Sequence, residues 1–281
     1  MDFALSPALL RADAVGLAVT VVGGGAYAVG AARLRARGDA WPAARSICFF
    51  LGVLAVFAVT CTTLGAWAMS LFSVHMLQHM VLNMVAPVLL VLGAPITLAM
   101  RALPARPRRV LVDALHSRPA RVVTHPLLVT VVFTGSLFAL YFTPLFGLAM
   151  GSHVGHLAMQ VHFLVSGYLM FWLLVGIDPG PRRREEVARM PVVLALVVTH
   201  TAFAFVVVFT SVVIGADYFA TVRAPWPVDA RADQALAGGI AWGLGELSSA
   251  VIVVVLFLQW FARAERREAA ERRAEARAAV R

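Results

Sequence analysis

The sequence is built from uncharged apolar runs of roughly 20 residues, the length an α-helix needs to cross about 30 Å of hydrocarbon. They fall at about 15–32, 47–68, 74–100, 124–145, 153–175, 190–214 and 236–261. The runs are continuous rather than alternating. In lipid every backbone group needs an internal partner, so continuous runs select helices over a barrel. Composition agrees: of 281 residues, 60% are hydrophobic and only 14% charged, against about 25% charged in a soluble domain. The mean hydropathy is +0.82. The expected fold is all-α, a polytopic membrane helix bundle of seven transmembrane helices over residues 1–262. A charged helical tail follows at 263–281.

Charge predicts the orientation. All 24 basic residues are arginine. Four lie between the first and second spans (Arg33 to Arg45), six between the third and fourth (Arg101 to Arg121), four between the fifth and sixth (Arg182, Arg183, Arg184, Arg189) and seven in the tail (Arg263 to Arg281). These 21 alternate with the sides that hold only Arg11, Arg223 and Arg231. The positive-inside rule then puts the N-terminus outside and the C-terminus in the cytoplasm, which an odd number of spans satisfies. The formal net charge of +9 is thus assigned to topology and lipid headgroups, not to nucleic acid. The N-terminal segment lacks a basic stretch before its first apolar run and reads as a short outer segment, not a cleaved signal. The two cysteines, Cys48 and Cys61, share one helical run and are too far apart to bridge each other.

Ionisable groups inside lipid are costly, and each is a functional hypothesis by default. They concentrate in two places. In SVHMLQHMVLNM, residues 73–84, His75 and His79 share a helix face, and Met76 and Met80 repeat that spacing one residue on. Gln78 and Asn83 add polarity. In GSHVGHLAMQVH, residues 151–162, stand His153, His156, Met159 and His162. The topology places both clusters at the outer ends of inward-running helices, so their histidines begin at matching depth. Imidazole and thioether suit Cu(I). Hydrogen bonding between helices and haem or proton handling are the competing readings. Cys61, His200 and Glu246 are single groups: a thiolate ligand or a buried small residue, and a mid-membrane pair able to support a ligand or simply bond across helices. Pro87 and the Gly93–Pro95 stretch are expected to kink the third span. Asp233 is expected to cap the seventh. No Walker-type loop, dinucleotide fingerprint, HExxH motif or Ser/His/Asp signal is present, so no catalytic turnover is expected.

FSVHMLQHMVLNMVAPVLLVLGAPI (72–96), HPLL (125–128), YFTPLF (141–146), LVGIDP (174–179) and DQALAGGIAWGLGE (233–246) together resemble the CtaG-type membrane proteins, the caa3-type cytochrome c oxidase assembly factor family. The resemblance implies a multi-pass protein of the bacterial plasma membrane that helps assemble a haem–copper oxidase by supplying or handling copper. Its partners would be oxidase subunits and a periplasmic copper chaperone. Carried over residue by residue, it falls on His75, His79, His153, His156 and His162, then on His200 and Glu246. The expected mechanism is transient holding of Cu(I) at the outer side, with neighbouring Met76, Met80 and Met159, and opening near Pro87. A copper transporter, a copper-tolerance protein and a metal-free structural partner of oxidase subunits are the rival expectations.

Overall fold

Prolines and polar caps decide where the apolar runs become helices. The computed structural model describes residues 10–181, 187–222, 224 and 226–279. Segment 1–9 and Arg182, Arg183, Arg184, Arg223 and Arg281, used above for orientation, lie outside the described residues. The main helices are α1 (Ala14–Ala36), α2 (Ala43–Thr60), α3 (Phe72–Ala102), α4 (Pro126–Tyr141), α5 (His153–Val175), α6 (Val187–Phe209) and α7 (Ala230–Ala279). All but α4 are long and apolar enough to cross a membrane, so six candidate spans stand among the described residues.

Two expected spans end early, and the helical tail is continuous with the last span. Helix α4 has 16 residues, a rise of about 24 Å, short of the roughly 30 Å core. Pro126 starts it, and the chain turns after Phe142 into a separate short helix, Leu145–Met150. Helix α2 stops at Thr60 rather than near 68. There the N-terminal segment pairs with it: the Arg11 amide donates to the Cys61 carbonyl at 2.9 Å, and Thr62 caps a new helix, Thr63–Trp67. Helix α7 runs unbroken from the last apolar run through the charged tail to Ala279.

Helix α3 is the axis of the bundle. Its most apolar stretch is 61% buried, against 33% in α1, α2, α6 and α7. Helices α2, α5 and α7 pack around it, and the end of α1 meets Pro95–Ala102. The main core includes Phe133 of α4, Phe163 and Phe171 of α5, and Phe203 of α6. A second cluster forms where Tyr27 stacks on Phe49 at 3.9 Å and donates to the Gly93 carbonyl at 2.9 Å.

The expected distortions of α3 are present and have local causes. Pro87 lacks an N–H and crowds the carbonyl of Asn83, four residues back. The helix widens into a π-type turn over Val81–Val85 just before it. The Asn83 carbonyl then faces α5, where Gly167 admits it: a Cβ there would overlap that oxygen and approach Pro87 Cγ to 2.9 Å. Lower down, Ala94 takes a left-handed φ of 50°, and the helix restarts at Pro95.

Both starts of α3 are capped from far away in sequence. The Asp178 carboxylate accepts from the Ile96 amide at 3.0 Å and the Thr97 amide at 2.8 Å. Burial pushes its carboxyl up, while the Thr97 and Ile96 donors pull it back. Asp233 corrects the expectation that it caps its own helix. Its carboxylate accepts from the Phe72 and Ser73 amides at 2.8 and 3.2 Å, tying α7 to the start of α3. Asp229 fills the local role, accepting from the Arg231 and Ala232 amides.

Candidate metal centre

The caps set the depth of the histidines. With α3 starting at Phe72, His75 and His79 are its fourth and eighth residues. Ser152 accepts from the Gly155 amide at 3.0 Å and starts α5 at His153, so His156 is the fourth residue of its helix. Equal offset from neighbouring starts brings three imidazoles together. The ring centroids of His75 and His79 are 4.1 Å apart, and His156 lies 6.1 and 6.3 Å from them. One ligand nitrogen from each lies within 4.8 Å of the others. Exposure is 0% for His75 and His79 and 5% for His156.

The hydrogen bonds leave one side of each ring open. His79 Nδ1 and the Tyr141 hydroxyl are 2.9 Å apart, while His79 Nε2 has no partner. His156 Nδ1 lies 3.4 Å from the Gln160 amide nitrogen, while His156 Nε2 and Gln160 Oε1 have none. Turning that amide by 180° makes Oε1 the acceptor for Nδ1–H, without a change of shape. Neither nitrogen of His75 is hydrogen-bonded, although the Ala68 backbone lies near the ring.

A buried polar atom without a partner costs about 1–3 kcal/mol, and such atoms are rare enough to need a reason. Here four such nitrogens belong to three rings that each bring one ligand nitrogen within 4.8 Å of the others. A metal ion is the group that satisfies several imidazole nitrogens at once. Ligation distances of about 2.0–2.1 Å put nitrogens roughly 3.5 Å apart around one ion, so small ring movements would close the present spacing. Nδ1 partners such as Tyr141 and Gln160 are what orient ligating histidines. The donor set therefore fits a metal. Around it the walls are aromatic: Phe146 lies 5.2 Å from His75, and Phe163 4.6 Å from His79.

Among the described residues, none of the other histidines, cysteines or acids marked in the sequence joins this group. His153 and His162 are exposed, and the His162 ring rests beside Phe163 at 5.5 Å. Met76, Met80 and Met159 are buried in the main core. Cys61 is buried where the N-terminal segment crosses α2, with its thiol 3.9 Å from the Asp13 carbonyl. His200 is buried against Gly245, its Nε2 unpartnered. Glu246 accepts from the Thr201 hydroxyl at 2.7 Å. Tyr141 and Gln160 were not singled out in the sequence; pairing across helices or within a turn leaves no mark in spacing alone.

The profile of the cytochrome c oxidase caa3 assembly factors matches residues 25–263. The chain belongs to this family. Among curated proteins, it is 44% identical over 250 residues to an uncharacterised protein of Mycobacterium bovis and to one of Mycobacterium tuberculosis. It is 38% identical over 257 residues to an uncharacterised protein of Mycobacterium leprae. These alignments cover 86% to 89% of this chain but only 38% to 39% of those proteins. The chain thus spans about two fifths of the length of the curated relatives it matches. No solved structure matches this chain.

Proposed function

We propose that this protein holds copper, as Cu(I), at His75, His79 and His156 near the outer surface of a bacterial plasma membrane and releases it to a haem–copper cytochrome c oxidase under assembly. The observation that carries this reading is a group of three buried imidazoles, each with an unpartnered nitrogen and each with one ligand nitrogen within 4.8 Å of the others. Family membership supports the oxidase as the destination. Copper here is cargo, and the protein has no turnover of its own. Oxidase subunits accept the ion, and a periplasmic chaperone supplies it.

In this proposal the chain crosses seven times, with α4 as the short span, the N-terminus outside and the C-terminus in the cytoplasm. The arginine distribution supports that orientation. Imidazole donors without a converged thiolate suit a site that must let go. Holding is favoured over transport by what lies beneath the centre. Polar side chains continue as far as Asn83 and Ser166, whose hydroxyl donates to Asn83 Oδ1 at 3.3 Å. Below them α3 continues with buried Val88, Leu90 and Val91.

The test is the copper content of the membrane's terminal oxidase in cells lacking this chain, complemented with wild type or with the His75→Ala/His79→Ala variant. Loss of oxidase copper, restored by wild type alone, is expected. Full oxidase copper without the chain would refute the assembly role.

A further inference from the structure

The three imidazoles are buried, so an ion reaches them through movement of the side chains around them. A cavity of about 700 Å³ lies at the same end of the bundle, between the start of α3, the start of α7 and the described parts of the connection, 213–222, 224 and 226–229. Phe72, Ile214, Phe219, Asp233 and Gln234 are among its lining residues. Phe72 also faces the centre. Its ring lies 6.4 Å from His75, nearly parallel to it at 13°. Phe219 packs on Phe72 at 5.9 Å, and Phe146 packs on both, at 6.1 and 5.9 Å. One layer of aromatic rings therefore separates the cavity from the first imidazole.

We propose that this cavity is the vestibule of the metal centre and that Phe72, backed by Phe219, is the gate between them. The inference rests on the metal-holding reading above and adds the route. An apolar constriction excludes water and hydrated ions until a side chain moves aside. Phe72 lines the cavity and stands beside His75, so rotation of its ring is the movement that joins them. Asp233 serves both sides of the device. It is the acid among the described lining residues, so it draws cations into the vestibule, and its carboxylate fixes the Phe72 and Ser73 amides. Asp233 is thus a positioning residue for the gate. The connection above is held in place by the Tyr218 hydroxyl, which donates to the Met69 carbonyl at 2.9 Å.

The experiment is stopped-flow loading of the purified full chain with Cu(I) delivered from a weak chelate, alongside the equilibrium Cu(I) content. Phe72→Ala and Phe219→Ala are expected to keep the bound Cu(I) of wild type and to load at least about tenfold faster, a barrier lower by about 1.4 kcal/mol. Phe219→Ala keeps the gate testable if Phe72→Ala does not fold, because Phe219 belongs to a short outer helix, Ala216–Phe219. Phe209→Ala, on the exposed face of α6, is expected to load at the wild-type rate. Wild-type loading rates in both gate variants would overturn the gate and leave the centre standing. Wild type that binds no Cu(I) would overturn the centre and the gate together.

Discussion

The Tyr141 hydroxyl lies 2.9 Å from Nδ1 of His79, deep in the bundle and 62 residues away in sequence. Nε2 of the same ring is left without a hydrogen-bond partner. With Nδ1–H donating to the hydroxyl oxygen, Nε2 keeps a lone pair for a metal, and the bond holds the angle of the ring.

Tyr141→Phe keeps the ring and removes that bond. Metal affinity is expected to fall roughly 10- to 100-fold with the same stoichiometry, while stability changes by only about 0.5–1.5 kcal/mol. Chelator competition beside a thermal melt separates the two effects. Unaltered affinity would remove Tyr141 from the site.

His153 and His162 share α5 with His156 but not its environment. Successive residues turn about 100°, so His162 sits roughly 120° around the helix from His156, and His153 occupies the exposed first turn. His153→Ala and His162→Ala are each expected to leave bound Cu(I) unchanged. His156→Ala is expected to lower it strongly. Titration of each purified variant decides, and equal losses at all three positions would contradict the three-histidine centre.

Gly167 tests the packing that places α5 against α3. Gly167→Ala puts a methyl group into the Asn83 carbonyl, and overpacking of this kind costs about 1–3 kcal/mol. Gly135→Ala, where the added carbon meets nothing within 4 Å, is expected to be neutral or mildly stabilising. Thermal unfolding in detergent compares them. Similar melting of the two variants would mean that the close approach is not required.

Asp178 works at the other end of α3. Asp178→Ala removes the acceptor for Ile96 and Thr97, and loss of such a cap costs about 0.5–2 kcal/mol. His75 and Thr97 are 22 residues apart, about 33 Å along a straight helix. Lower stability with unchanged Cu(I) affinity is therefore expected from melts and titrations of this variant. A loss of affinity would show that the two ends are coupled.

Much of this arrangement is legible in the sequence, for physical reasons that differ by residue. Helix α5 spans 153–175 as expected because Ser152 and Gly176 flag its ends, with Gly176 at a φ of 60°. Pro87 announces the distortion of α3, since its effect is local. The end of α2 is not legible: Cys61 and Thr62 carry no breaker, and the helix stops because the N-terminal segment pairs there. Asp233 looks like a cap for the nearest helix and serves a distant one. The two histidine clusters are visible because lipid makes each ionisable group conspicuous. Which members converge depends on helix rotation, and rotation is set by contacts such as Gly167 with Asn83.

The most direct measurement is the Cu(I) content of the purified chain under anaerobic chelator competition, for wild type and for the variant with His75, His79 and His156 all replaced by alanine. One Cu(I) per wild-type chain and none in a folded triple variant is the predicted result. Equal copper in both, or none in wild type, would contradict it.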